Sequence, residues 1–210
     1  MLRVKICGLR IDREIEAVNG VRPDYAGFVF APSRRKVTPD EAARLIERLK
    51  PEILPVGVFV NERTDIIVNT VRTCGLKVVQ LHGEEDLVTI EMLREALGAK
   101  VELWKALKLS YDGVKAQHAD QNFMGLCDRL IYDGALPGSG RLVNLAHLPP
   151  SLDRSMLAGG LSPENVGEIL KKVRPFGVDV SSGVEGRDGF KDPEHMERFV
   201  QIVREKEDEP

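Results

Sequence analysis

The chain has 210 residues and a net charge of −3, with 42% hydrophobic and 30% charged residues. This composition is typical of a globular protein with one large domain or two small ones, and it argues against a nucleic-acid partner. No stretch approaches the ~18 apolar residues of a membrane-spanning helix, so we expect no membrane partner.

Eight apolar runs have the length and composition of β-strands. They start roughly 20–30 residues apart, which is the length of a β–α unit. The predicted strands are Leu2–Cys7, Tyr25–Phe30, Leu54–Val60, Lys77–Leu81, Val101–Leu107, Leu130–Asp133, Ser155–Ala158 and Gly177–Val180.

Amphipathic helical patterns lie between most of these strands. One helix is predicted to open at Pro39, with Thr38 as its N-terminal cap. Eight strands with alternating helices fit a closed (β/α)8 barrel, and a doubly wound open sheet is the competing architecture. Eight units in 210 residues favour the barrel, and we expect a single domain over residues 1–210. The other predicted helices are about Asp65–Thr73, Asp86–Leu97, Glu164–Val173 and Pro193–Arg204.

Three segments depart from this pattern. Ser110–Phe123 is polar and weakly periodic, so the fifth helix is expected to be irregular or missing. Leu136–Pro150 is rich in proline and glycine, which indicates a loop beside a short helix at best. The charged tail Glu205–Pro210 is expected to fray.

The stretch Leu157–Glu185 carries the signals of an anion site. Its first predicted strand ends in a Gly-Gly turn before a helix that Ser162 can cap, and its second ends in Ser-Ser-Gly. Backbone N–H groups and hydroxyls at two adjacent strand ends can hold a phosphate, although two ordinary turns would use the same residues. In (β/α)8 barrels such a site commonly follows the last two strands. The candidate residues are Gly159, Gly160, Ser181, Ser182 and Gly183.

Catalytic groups of a barrel come from the C-terminal ends of its strands. Cys7 ends the first predicted strand, Asp133 ends the sixth, and Asp179 lies within the eighth. Cys7 and Asp133 could act as base and acid on opposite sides of one substrate. Cys7 is otherwise read as a small buried hydrophobe, whereas a carboxylate that ends an apolar strand needs a partner or a function.

Other charged residues fall near the same strand ends. Lys5 alternates with Cys7 and should face the barrel interior, where Asp179 is a candidate partner for its ammonium. Arg34, Arg35 and Lys36 follow the second strand in the segment APSRRKV, where one guanidinium could clamp a substrate carboxylate or all three could lie in a solvated basic loop. His82 closes the fourth strand, where it could contact substrate or have a structural role.

The sequence indicates no metal or disulfide framework. Its three cysteines, Cys7, Cys74 and Cys127, are far apart, and its four histidines are scattered. It contains neither a Walker motif nor GxGxxG. The first residues read as a strand rather than as a secretion signal, so we expect a cytoplasmic protein.

Six segments in consistent order resemble phosphoribosylanthranilate isomerase of tryptophan biosynthesis, and the pairing of VKICG with VDVSSGVE is specific. The resemblance implies a (β/α)8 barrel that uses no cofactor and acts on a phosphorylated small molecule by an Amadori rearrangement. Monomer and homodimer are both compatible with the sequence. The segments are VKICGL at 4–9, DYAGFVFAPSRRKVTPDEA at 24–42, PVGVFVNE at 55–62, VVQLHGEE at 78–85, LAGGLSPENV at 157–166 and FGVDVSSGVE at 176–185.

The resemblance also implies roles for individual residues. The family's general base falls on Cys7, its general acid on Asp133, and the arginine that holds the anthranilate carboxylate on Arg35. Asp179 and His82 match positions near the substrate. The phosphate site falls on Gly159, Gly160, Ser181, Ser182 and Gly183.

One loop departs from the family pattern. The family follows its acid with a longer loop that ends in G-[ST]-G-[KR]-x-F-D-W, whereas this chain reads DGALPGSGRLVNLAH. Val143, Asn144 and Leu145 replace Phe, Asp and Trp, while Arg141 keeps the basic position. The contacts that this loop makes to substrate in the family therefore cannot be assigned to the loop of this chain.

The implied chemistry requires a protonated Asp133 and a Cys7 thiolate. At neutral pH an ordinary carboxyl is ionised and an ordinary thiol is protonated, so we expect nearby positive charge to favour the thiolate. Two alternatives are another phosphosugar isomerase, epimerase or synthase, and a non-catalytic barrel that only binds phosphoribosyl compounds.

Overall fold

The computed structural model describes residues 2–109, 122–134, 145, 148–149 and 151–207. Within these residues, eight parallel strands form a closed barrel in chain order, each paired with the next and the last with the first. The predicted closed barrel is confirmed, and the alternative prediction of a doubly wound open sheet is wrong. The strands are β1 (Arg3–Cys7), β2 (Tyr25–Val29), β3 (Leu54–Phe59), β4 (Val78–Leu81), β5 (Glu102–Leu109), β6 (Arg129–Gly134), β7 (Ser155–Ala158) and β8 (Gly177–Val180).

Helices pack around the outside of this barrel. The Thr38 cap is confirmed, because its hydroxyl accepts from the Glu41 N–H while the Glu41 carboxylate accepts from the Thr38 N–H. Among the described residues, none of the helices has the length and apolar character that a bilayer crossing needs. The helices are α1 (Asp12–Val21), α2 (Pro39–Ile46), α3 (Thr64–Cys74), α4 (Leu87–Leu97), α5 (Val166–Leu170) and α6 (Pro193–Glu207).

Helix α1 was not among the predicted helices, since neither of its ends carries the usual signal. Its N-cap is Ile11 rather than a hydroxyl or amide residue, and its C-cap is Arg22 rather than glycine. The buried carboxylate of Glu14 supplies the cap instead, because it accepts from the backbone N–H groups of Arg10 at 2.6 Å and Ile11 at 3.2 Å.

Two other predictions differ in length from the structure. The helix predicted at Glu164–Val173 is the shorter α5, since Ser162 to Asn165 form turns in which the Ser162 hydroxyl accepts from the Glu164 N–H at 3.3 Å. The helix α6 continues to Glu207, so the fraying expected from Glu205 is wrong as far as Glu207.

The predictions for two connections fall mostly on residues that the structure does not describe. Of Ser110–Phe123 only Asn122 and Phe123 are described, so the irregular or missing fifth helix lies outside the described residues. Of Leu136–Pro150 only positions 145, 148 and 149 are described.

The barrel interior is filled at its N-terminal end, which leaves the opposite mouth for a site. Trp104 is fully buried there, and its ring meets that of Tyr25 edge-on at 4.8 Å. The cluster around them consists of Val56, Val78, Ala106, Ile131, Met156 and Ala158. A larger apolar cluster lies between the barrel and its helices. A packed interior of this kind makes the barrel a scaffold rather than a channel.

A buried ion pair fixes the loop that follows β4. The ammonium of Lys105 on β5 donates to Glu85 Oε2 at 2.9 Å and to the Gly83 carbonyl at 2.6 Å. The other carboxylate oxygen of Glu85 accepts from the Asn61 N–H at 2.8 Å, which joins this loop to the one after β3. His82 lies at the start of the loop and is held by these contacts at the barrel mouth.

Candidate active site

The structure brings the predicted site residues to one mouth of the barrel. Cys7, Asp133 and Asp179 lie on strands near their C-terminal ends. In a parallel barrel these ends and the loops that follow them share one face. Arg35 lies between β2 and α2, His82 follows β4, Gly159 and Gly160 follow β7, and Ser181, Ser182 and Gly183 follow β8.

The predicted pairing of Lys5 with Asp179 is confirmed. The Lys5 ammonium has no solvent exposure and donates to Asp179 Oδ2 at 2.8 Å. The second oxygen, Asp179 Oδ1, is buried and has no hydrogen-bond partner within the described residues. Burial raises the pKa of Asp179, and the Lys5 charge opposes that rise. Lys5 thus supplies a positive charge beside the C-terminal end of β1.

Cys7 lies against Gly27 of β2, where an added Cβ would come 2.7 Å from the Cys7 sulfur. Burial raises the pKa of the Cys7 thiol above its ordinary value, although the positive charges of Lys5 and Lys191 act in the opposite direction. We predicted that positive charge would favour the thiolate. The charges are present and act in the predicted direction, but burial outweighs them and the pKa of the thiol rises.

Asp133 contacts a histidine. Its Oδ2 lies 3.0 Å from His82 Nε2, and His82 Nδ1 lies 3.0 Å from the side-chain nitrogen of Gln80. Asp133 and His82 are 21% and 26% exposed, so both can reach a ligand in the mouth. Gln80 is 1% exposed and cannot.

The turn after β7 adjoins this carboxyl group. Gly159 has a φ of +89°, which favours glycine. A Cβ at Gly159 would come 2.5 Å from Asp133 Oδ1 and would overlap the backbone of Gly134. The glycine therefore leaves room for the Asp133 carboxyl group as well as making the turn.

The loops after β7 and β8 touch at Gly183. A Cβ at this position would overlap the carbonyl oxygen of Leu161, so the two backbones meet without any side chain between them. The Ser181 hydroxyl is directed elsewhere, since it donates to the main-chain oxygen of Cys7 at 2.9 Å. Lys191 donates to the Ser181 carbonyl at 3.0 Å. These bonds attach the end of β8 to the end of β1.

Arg35 is held by a carboxylate in the loop after β8. Its Nε donates to Glu185 Oε1 at 2.6 Å, and Lys191 donates to the same oxygen at 3.0 Å. Arg34 pairs with Glu185 Oε2. Burial alone would raise the pKa of Glu185, but the Arg35 hydrogen bond and the Lys191 charge lower it below its ordinary value. Glu185 uses only the Nε edge of Arg35, which leaves the outer edge of the guanidinium for another carboxylate.

The chain matches the family model described as N-(5'phosphoribosyl)anthranilate (PRA) isomerase over residues 4–202. The chain belongs to the phosphoribosylanthranilate isomerase family. A family member from Acetivibrio thermocellus is 42% identical, with 98% of this chain and 97% of that protein covered. One from Clostridium beijerinckii is 37% identical, with 97% and 98% covered.

Solved structures of phosphoribosylanthranilate isomerases share the fold. The Thermotoga maritima enzyme superimposes with a TM-score of 0.87 at 34% identity, covering 98% of this chain and 100% of that one. A phosphoribosylanthranilate isomerase in complex with reduced 1-(o-carboxyphenylamino)-1-deoxyribulose 5-phosphate gives a TM-score of 0.84 at 33% identity, with the same coverage. The resemblance inferred from the sequence segments is thereby confirmed.

Sequence reasoning did not single out three residues of this barrel mouth. Gln80 carried a usable signal, because it alternates with His82 and so shares its face of β4. Glu185 and Lys191 carried none, since Glu185 meets Arg35 across loops some 150 positions apart and Lys191 is joined to Arg35 through the same Glu185 oxygen. The altered family loop that includes Arg141, Val143 and Asn144 lies outside the described residues.

Proposed function

We propose that this chain catalyses the Amadori rearrangement of N-(5'-phosphoribosyl)anthranilate to 1-(2-carboxyphenylamino)-1-deoxyribulose 5-phosphate. One observation carries the proposal: Cys7 and Asp133 lie at the same barrel mouth on strands that are three apart in one direction and five in the other. They can therefore flank a sugar from nearly opposite sides. A thiol and a carboxyl in this arrangement suit a reaction that moves protons only.

Asp133 and Cys7 act in turn on the ribose. Protonated Asp133 donates its proton to the ring oxygen as the bond from that oxygen to C1′ breaks, and the anilino nitrogen forms a Schiff base with C1′. The Schiff base acidifies the C2′ proton, which the Cys7 thiolate removes. The resulting enolamine becomes the ketone when the Cys7 thiol returns a proton to C1′ and the C2′ hydroxyl releases its proton, which restores the acid form of Asp133. Atoms and electrons balance within the substrate, so no cofactor enters the scheme.

The remaining residues bind the two charged ends of the substrate. Arg35 holds the anthranilate carboxylate through the guanidinium edge that Glu185 leaves free. Asp179 and His82 border the ribose. We assign the phosphate to the joined loops after β7 and β8, at Gly159, Gly160, Ser181, Ser182 and Gly183. Because the Ser181 hydroxyl binds Cys7, its contribution is assigned to the backbone N–H. The proposal also takes residues 1–210 as a single cytoplasmic domain, as a monomer or homodimer.

The fluorescence of phosphoribosylanthranilate provides the test. The purified chain should consume the fluorescent aminoaldose catalytically, at a rate proportional to enzyme concentration. Binding without consumption would favour a non-catalytic barrel. Failure to bind, together with turnover of another phosphosugar, would favour a different isomerase. Either result would overturn the proposal.

Arg35→Lys is expected to raise KM by about 10- to 100-fold with a smaller effect on kcat, because a lysine cannot make the bidentate contact with a carboxylate. Steady-state kinetics would measure the change. Arg34→Lys is the matched control, since Arg34 is 61% exposed and lies next in sequence. An equal rise in KM for both variants would contradict the assignment of the clamp to Arg35.

Gly183→Ala is expected to lower the free energy of unfolding by about 1–3 kcal/mol, because the new Cβ forces the loops after β7 and β8 apart. It should also reduce the rise in Tm that inorganic phosphate gives the wild-type chain. Thermal denaturation with and without phosphate checks both effects. Gly20→Ala is the control, since a Cβ at Gly20 of α1 meets nothing within 4 Å. A phosphate response unchanged by Gly183→Ala would remove this loop pair from the phosphate site.

A further inference from the structure

Three side chains form a row that leads from the buried interior of the barrel to the proposed acid. Gln80 on β4 is buried at the level of Trp104, its register partner on β5. His82 follows two residues later at the mouth and reaches across β5 to Asp133 on β6. Ala106 is a small inward residue of β5, the strand that lies between them. Substrate can contact Asp133 but not Gln80.

The chemistry of the amide decides which group donates and which accepts in each of these hydrogen bonds. The nitrogen of Gln80 can only donate, so His82 Nδ1 must accept and carry no proton. The imidazole proton then lies on Nε2, which donates to Asp133 Oδ2. If the amide were reversed, its oxygen would accept from Nδ1–H. A neutral His82 would then face Asp133 with a bare Nε2, which accepts.

The rest of the amide adds a second observation. Gln80 Oε1 is buried and has no hydrogen-bond partner within the described residues. A buried acceptor without a partner is costly, and an apolar residue of similar size would avoid that cost. What a polar side chain gains at position 80 is the hydrogen bond to His82.

We propose that Gln80 is a positioning residue that fixes the tautomer of His82, so that Asp133 Oδ2 accepts from His82 and the transferable proton resides on Asp133 Oδ1. The inference rests on the proposed function of Asp133. Oδ1 is the oxygen beside Gly159, where the missing Cβ leaves space. The proton on Oδ1 goes to the ring oxygen of the substrate, and Asp133 is left as a carboxylate.

The Nε2–H bond becomes stronger as this step proceeds. Negative charge grows on Asp133 while its proton leaves, and a bond from N–H to a carboxylate is stronger than one to a neutral carboxyl. An interaction that strengthens in the transition state raises kcat rather than affinity. With a bare Nε2, His82 would instead oppose the ionisation of Asp133.

The charged groups around this row come from three other strands. Lys108 on β5 is the register partner of Asp133, and Asp179 on β8 acts on Asp133 through its charge. Lys5 on β1 is paired with Asp179. Gln80 is neutral, so its replacement by methionine changes none of these charges.

Nitrogen-15 NMR of the ligand-free chain reads the tautomer directly. Two-bond proton–nitrogen correlations distinguish Nδ1–H from Nε2–H, and a His82→Asn sample identifies the His82 signals among the four histidines. We expect Nε2–H in the wild type, loss of that preference in Gln80→Met, and protonated Nδ1 in Gln80→Glu, whose carboxylate can only accept. Wild-type His82 protonated on Nδ1 would overturn the proposal.

Kinetics of the same variants supply the second readout. Gln80→Met should lower kcat by about tenfold with KM within twofold of wild type, and Gln80→Glu should lower it further. Thermal denaturation identifies any variant that fails to fold, and either variant alone is sufficient for the test. Unchanged kcat with an altered tautomer would overturn the positioning role of Gln80. The tautomer is measured without substrate, so an inactive wild type would contradict the proposed function and not the NMR result.

Discussion

Replacing Asp133 with asparagine is expected to lower kcat by about 10²–10⁴-fold, the range for loss of a well-placed general acid. The amide is nearly isosteric and keeps an oxygen for His82 Nε2 at the position of Asp133 Oδ2. It has no proton to give to the ring oxygen. The substrate should therefore bind with a KM close to that of the wild type and fail to open.

The measurement is steady-state kinetics on the fluorescent aminoaldose, with circular dichroism to verify the fold. Asp128→Asn is the matched control, because Asp128 lies at the opposite end of the barrel just before β6, where it accepts from the Leu103 N–H at 2.8 Å. That variant should lose some stability and keep its turnover. Near-full turnover of Asp133→Asn would exclude this residue as the acid.

The fold was readable from the sequence because each strand is an apolar run bounded by polar residues. Ser155–Ala158 and Gly177–Val180 were predicted with the bounds that the structure has, and the other strands differ by one or two residues at one or both ends. Helix α1 could not be predicted from the sequence, because its cap is the carboxylate of Glu14, a buried residue in the first turn of the helix. A cap of this kind looks like an ordinary surface glutamate in the sequence.

The contacts within the candidate site also differ in how far the sequence could predict them. The ion pair of Lys5 with Asp179 could be predicted from the sequence, because strand alternation places Lys5 inside the barrel and a buried ammonium needs a carboxylate. The contact of Arg35 with Glu185 could not, because it depends on how two loops far apart in sequence meet. The direction of the Cys7 pKa also required coordinates, since it depends on the balance of burial against two lysine charges.

Replacing Cys7 with alanine is expected to lower kcat by about 10²–10⁴-fold, because the substrate would lose the base that removes its C2′ proton. Ring opening by Asp133 would still be possible, so the variant should bind substrate and accumulate no ketone. Cys74→Ala is the control. Cys74 is also a buried thiol, but it lies on α3 and donates to the Pro39 carbonyl at 3.3 Å, away from the mouth. Equal losses in both variants would indicate a packing role for Cys7.

Alkylation of the free enzyme tests the protonation state of this base. Burial raises the pKa of Cys7, so a thiolate reagent should react with it increasingly as pH rises, with a midpoint above that of an ordinary thiol. Mass spectrometry separates Cys7 from Cys127, whose pKa burial raises to about 12. Lys5→Met with Asp179→Asn removes the Lys5 charge without leaving a lone buried carboxylate, and should move the Cys7 midpoint to still higher pH. A midpoint that stays in place would mean that the Lys5 charge lowers the pKa of Cys7 no more than the Asp179 charge raises it. A wild-type midpoint below the ordinary range would mean that the lysine charges, and not burial, dominate at Cys7.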